Sequence, residues 1–237
     1  METIKSIDTL SRTECEKATS IVHFLRKSWF RRHALAPYYT LGTAIHLDSG
    51  SQVRSYLCMA KTTNQLLKKH FDWLYQRLTE ALEVSLGAPV NISTALAVPG
   101  FHIFLGCKFF EVFNNDIHFD LQHNKINSEM LEKMDFSNTM SFTLPIALPR
   151  KGAGLNLWDI TYQEMLHIDE QIYEQKLKGL QKSRKKILHP YKLGQMIVHS
   201  GSTLHQAAMG KDLKPDDDRI TLQGQAFFSE GSWQLYW

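Results

Sequence analysis

The chain lacks most of the features that would set it apart from ordinary globular proteins. It has only three cysteines, Cys15, Cys58 and Cys107, in 237 residues. An odd, widely spaced set is no disulfide framework and reads as reduced thiols of a cytoplasmic protein. No apolar run approaches the ~18 residues of a membrane span. The start, Met1-Glu2-Thr3-Ile4-Lys5, has neither the apolar stretch nor the small-residue cleavage site of a secretory signal. Internal repeats, low-complexity tracts and linkers are missing too, so a single domain over 1–237 is expected. Charge of one sign is scarce: 27 Lys and Arg against 24 Asp and Glu leave +3. That excess is too small to announce a nucleic-acid or membrane partner. With 43% hydrophobic and 22% charged residues, disordered, collagen-like and coiled-coil chains are excluded.

What is present divides into a helical third and a strand-rich remainder. Ser11-Arg12-Thr13-Glu14 is a capping-box pattern, and Ala18, Ile21, Val22 and Leu25 follow at helical spacing. After a loop or short strand within 37–48, a second helix carries Leu57, Leu66, Leu67, Phe71, Leu74, Leu78 and Leu82, stopped by Gly87 and Pro89. Residues 1–92 thus read as a helical N-terminal support. From 93 onward, candidate strands lie at 101–110, 116–121, 139–148, 154–158, 194–199, 203–208, 219–228 and 232–237, rich in β-branched and aromatic residues. One helix, at about 162–182, interrupts them. The acidic residues Glu164, Asp169, Glu170 and Glu174 come early in it and Lys176, Lys178 and Lys182 late, as the helix dipole favours. The basic-aromatic run Arg26–His33 reads as a helix end with cations, in preference to a nucleic-acid patch. Helices packed on a β-sandwich or open barrel are expected.

Three His-x-Asp pairs occur: His46/Asp48, His118/Asp120 and His167/Asp169. With 11 histidines, chance alone supplies roughly 0.6 such pairs. On a strand, residues two apart share a face, so imidazole and carboxylate can hold one metal. His167/Asp169 falls in the predicted helix, where i and i+2 diverge, and is set aside. His46/Asp48 precedes the strand region and reads as a structural pair. His118/Asp120 closes a candidate strand and is favoured. A third ligand is sought in 194–205, where His199 and His205 stand. Beyond it, Arg219, Thr221, Gln223 and Gln225 alternate with Ile220, Leu222, Ala226 and Phe228. If the helices cover the apolar face, the polar row turns toward a cavity. There an Arg can fork onto a carboxylate with a hydroxyl beside it.

His118-x-Asp120, then His205 after 85 residues and Arg219-x-Thr221 after 14 more, resembles the iron(II)- and 2-oxoglutarate-dependent dioxygenase superfamily. The likeness covers roughly 95–237. It implies a mostly β fold, a double-stranded β-helix of jelly-roll or cupin type, with the N-terminal helices on the outer face of one sheet. By the same resemblance His118, Asp120 and His205 are the catalytic metal ligands for Fe(2+), and Arg219 with Thr221 binds 2-oxoglutarate. O2 is the further co-substrate, and a small-molecule substrate such as an amino acid or biosynthetic intermediate would be hydroxylated. Halogenating relatives replace the carboxylate of Asp120 by a small residue, so its presence favours hydroxylation. Protein side-chain hydroxylation, nucleic-acid demethylation and a metal-binding barrel without turnover are the alternatives. His102, Phe104, Gln122, Trp158, Gln225 and Phe227 are candidates for the substrate pocket, and His199 for a structural role beside the metal. The helix near 162–182 is an insertion in the minimal core, expected to wall or cover the pocket mouth.

Overall fold

The computed structural model describes residues 4–49, 53–112, 116–121 and 135–237. The expected capping box forms: Glu14 N–H donates to Ser11 Oγ, and Ser11 N–H to the Glu14 carboxylate at 2.8 Å. It opens α1 (Arg12–Phe24). The short α2 (Ile45–Asp48) precedes α3 (Val53–Leu86). Helix α3 ends at Gly87, whose φ of +67° is a left-handed conformation that glycine adopts most readily.

Strands before α3 are β1 (Ile4–Asp8), β2 (Phe30–Arg31) and β3 (Tyr38–Leu41). Then come β4 (Val90–Ile92), β5 (Gly100–Phe104), β6 (Asp135–Ala147) and β7 (Gly152–Thr161). After α4 (Glu170–Ser183) follow β8 (Lys186–Pro190), β9 (Gln195–Ser200), β10 (Thr203–Gly210), β11 (Arg219–Ser229) and β12 (Ser232–Tyr236). Among the described residues, nine strands make a large sheet in the order β1-β9-β6-β11-β5-β3-β2, with β12 joining β11 to β4. A small sheet, β10-β7-β8, faces it.

The core lies between the helices and the large sheet. Ala18, Val22 and Leu25 with Leu67, Phe71, Leu74, Leu78 and Leu82 pack on Phe101, Ile103, Phe142, Leu144, Ile220 and Leu222. Each fully buried side chain of this size contributes about 1.5–3 kcal/mol. The helices therefore occupy one face of the sheet, and the polar residues of β11 turn to the other, toward the small sheet. The fold class is the expected one, a mostly β sandwich with helices on its outer face.

Several expectations are corrected. Residues 1–92 are not purely helical, because β1 to β4 join the large sheet. The segment 101–110 is a strand only to Phe104, followed by a 3₁₀ turn at Lys108–Glu111. The segment 116–121 is not a strand. It is extended chain held by one bridge, His118 to His205. The helix near 162–182 is a 3₁₀ turn, Tyr162–Met165, then α4 capped by Asp169, whose Oδ1 accepts from Gln171 N–H at 2.8 Å. Helix α4 does not cover a pocket mouth either. Its Leu177 and Leu180 pack with Trp158, Ile160, Met165 and Leu204 on the outer face of the small sheet.

Candidate active site

Two backbone docking contacts bring the His118/Asp120 segment onto the β9–β10 hairpin. His118 and His205 exchange N–H···O=C bonds of 3.0 Å, and Asp120 N–H donates to Gly201 O at 2.8 Å. A side chain at Gly201 would crowd this contact, since a Cβ there would come to 3.1 Å from Asp120 O. Because 116–121 is extended, alternate side chains diverge: His118 and Asp120 point toward His205, while Ile117 and Phe119 join the cluster under α4.

Ligand-type atoms of His118, Asp120 and His205 all lie within 4.8 Å of one another. His118 Nε2 is 3.6 Å and His205 Nε2 3.3 Å from the two oxygens of Asp120. Each Nδ1 is tied to a backbone carbonyl, Asp116 O at 2.8 Å for His118 and Thr203 O at 2.9 Å for His205. A carbonyl can only accept, so Nδ1 carries a proton and Nε2 is the atom that each ring turns toward the carboxylate. That is the arrangement of a metal-binding imidazole. Burial alone would push the Asp120 carboxyl up. His205 and His118 outweigh it and hold the group well below the usual carboxylate range. The donor set, two imidazoles and one carboxylate, suits Fe(II).

The triad opens on a cavity of about 530 Å³ between the two sheets, within the size range of small-molecule sites. Arg219, Thr221, Gln223 and Gln225 all line it, as their alternation predicts, together with His102 and Phe104. Arg219 is buried. Its Nη1 donates to Ala208 O at 3.0 Å, and its Cζ sits 4.0 Å over the Phe104 ring. Among the described residues no carboxylate pairs with it, and burial pulls its pKa down. A buried cation without a counter-ion fits an acidic ligand. His199 lines the cavity with its ring 4.6 Å from that of His205, and burial followed by His205 lowers its pKa to about 4.

Other candidates lie elsewhere. Trp158 points away from the cavity into the α4 cluster. Phe227 is buried with Ile45, Tyr56 and Tyr236 beyond the cavity end. Gln122 lies outside the described residues. Asp48 forms a bidentate pair with Arg32 at 2.6 and 2.8 Å, consistent with the structural reading of His46/Asp48. Sequence reasoning missed Tyr38, Ser141, Thr143 and Tyr191, all cavity-lining. Strand register could have revealed Ser141, which stands opposite Gln225 and His199; Tyr191 follows β8 in a loop.

Comparison with solved structures places this architecture. The double-stranded β-helix is shared. An N-substituted L-amino acid dioxygenase from Burkholderia ambifaria AMMD, solved in complex with alpha-ketoglutarate, is similar over 99% of this chain and 86% of its own, with TM-score 0.59 and 14% identity. The non-heme alpha-ketoglutarate-dependent carbocyclase SnoK from nogalamycin biosynthesis is similar over 99% of this chain and 92% of its own (TM-score 0.54, 12% identity). The epimerase SnoN of the same biosynthesis covers 97% and 81% (TM-score 0.54, 12% identity). No protein-family model and no curated protein sequence matches the chain. Among the described residues no helix is long and apolar enough to cross a membrane.

Proposed function

We propose that the protein is a non-haem Fe(II)- and 2-oxoglutarate-dependent oxygenase that hydroxylates a C–H bond of a small molecule. One observation carries the reading: a convergent His118/Asp120/His205 set and a buried Arg219, with no carboxylate partner among the described residues, share a single cavity. The metal and 2-oxoglutarate, when bound, supply the oxidising power for the overall change R–H + O2 + 2-oxoglutarate → R–OH + succinate + CO2. The chain's own residues do the rest. Asp116 and Thr203 carbonyls keep both imidazoles in the ligating tautomer. Arg219 takes the far carboxylate of 2-oxoglutarate as a charge-assisted pair, with Thr221, 2% exposed on the same face, beside it. The two sheets wall the cavity on either side of the triad and Arg219. Orientation by these fixed groups is the protein's main contribution to rate.

A cavity of about 530 Å³ supports a small-molecule substrate over a protein or nucleic acid, and the small net charge agrees. Neighbours of this fold include a dioxygenase, a carbocyclase and an epimerase, so the reaction outcome is the point to test. Anaerobic protein with Fe(II), 2-oxoglutarate and a metabolite extract is exposed to ¹⁸O2, and products are read by mass spectrometry. A product carrying one ¹⁸O atom is expected. A product two mass units lighter than its substrate overturns hydroxylation in favour of desaturation or ring closure, and an absence of succinate overturns the oxygenase reading itself.

A further inference from the structure

We propose that His102 is a co-substrate-binding residue, donating a hydrogen bond from its imidazole to an oxygen of 2-oxoglutarate lying between the metal triad and Arg219. This rests on the reading that the cavity takes iron and 2-oxoglutarate. His102 stands on β5, lines the cavity, and is paired in register with Thr221 of β11, one step from the Phe104–Arg219 pair. Its ring is clamped: Tyr38 meets it edge-on at 5.5 Å and Trp237 lies 5.3 Å away. Among the described residues neither ring nitrogen makes a hydrogen bond: Nε2 is shielded, and Nδ1 is the nitrogen left open on the cavity side. A ring N–H that faces a cavity without a protein partner is placed to bond an oxygen that arrives with a ligand.

Position and charge identify that ligand. His102 is within electrostatic reach of both Arg219 and Asp120, the two ends between which 2-oxoglutarate would stretch. Burial, then His46 and Arg219, keep the imidazole neutral. A neutral imidazole always carries one N–H, and a carboxylate or keto oxygen is its natural acceptor. The competing role is structural. Trp237 Nε1 is also buried without a partner, and a trapped water between the two rings would satisfy both. Such a histidine would be indifferent to 2-oxoglutarate.

The test is calorimetric titration of 2-oxoglutarate into anaerobic Fe(II)-loaded wild type, His102→Phe and His102→Gln. Loss of the N–H in His102→Phe is expected to weaken 2-oxoglutarate about tenfold. His102→Gln, which keeps a donor, should stay within about threefold of wild type, and Fe(II) affinity should be the same in all three. Wild-type affinity in His102→Phe overturns the proposal and leaves the trapped-water role. If that variant does not fold, ring ¹⁵N shifts of His102 in Zn(II)-loaded wild type serve instead. A change on adding 2-oxoglutarate supports the contact, and an unchanged signal overturns it. Failure of wild type to bind 2-oxoglutarate at all is a different result: it overturns the proposed function, and this inference with it.

Discussion

Arg219 offers a prediction in which stability and function part company. The perturbation is Arg219→Met, which keeps length and removes charge. In the ligand-free protein the guanidinium is buried, bonded to the Ala208 carbonyl and stacked on Phe104, with no carboxylate paired to it among the described residues. Removal costs that charged hydrogen bond, about 1.5–3 kcal/mol, and the stacking contact, about 1–2 kcal/mol. Against these stands the relief of burying an uncompensated ion, several kcal/mol. The two sides cancel to within about 2 kcal/mol. At about 2–4 °C per kcal/mol for a chain of this size, the ligand-free Tm should stay within ~8 °C of wild type. With 2-oxoglutarate at 100 times its Kd, wild type should gain about 2.7 kcal/mol, or roughly 5–11 °C. The variant, having lost about 3–5 kcal/mol of pairing, should gain less than ~2 °C at the same concentration. Thermal scans of anaerobic Fe(II)-loaded protein, with and without 2-oxoglutarate, measure both quantities. Equal ligand-induced shifts in the two proteins would refute the reasoning. So would a ligand-free Tm that falls by ~10 °C, which would make Arg219 a structural residue.

Replacing His205 by Ala should abolish stoichiometric Fe(II) binding at micromolar metal, read by metal analysis after gel filtration, whereas His199→Ala should retain it; the reverse pattern would reassign the ligand. Asp48→Ala should cost about 2–3 kcal/mol in urea unfolding, because it strands the partly buried Arg32, yet leave Fe(II) binding intact; lost metal with unchanged stability would make Asp48 a ligand. Trp158→Ala should destabilise by about 3–5 kcal/mol without changing 2-oxoglutarate affinity, since its ring packs under α4; weakened affinity would return Trp158 to the cavity wall. Hydrogen exchange across Glu170–Ser183 should not respond to 2-oxoglutarate, and protection there would restore the lid.

The chemistry of the site was legible because it is concentrated in a few residue types at fixed spacing. His118, Asp120, His205, Arg219 and Thr221 could be picked out before any fold was known, and the structure brings all five to one cavity. The alternation of β11 also told which way its polar row would face. What escaped was whatever depends on tertiary pairing. Strand β1, Ile-Lys-Ser-Ile-Asp, does not alternate, and β8 has mostly exposed residues; each is a strand only because a neighbour supplies its hydrogen bonds. Conversely 116–121 looked like a strand from composition but finds only one bridge. Trp158 was misplaced because the helix that buries it packs on the outside of the small sheet, a packing choice no local pattern records. Ser141 and Tyr191 carry no motif at all and reach the site through register and a loop.

Strand β11 binds two properties that are usually mutated apart. Its even-numbered Ile220, Leu222 and Ala226 seal the helices to the large sheet, and its odd-numbered Arg219, Thr221, Gln223 and Gln225 furnish the cavity. A deletion or insertion of one residue early in it would exchange the two sets beyond that point, sending amides into oil and leucine into the site, wherever no bulge absorbed it. Length variation is therefore costly there, while the stretch between β7 and β8 packs α4 away from the residues that line the cavity. A lineage exploring new substrates on this scaffold would be confined to exchanging side chains on β11 and to rebuilding loops elsewhere.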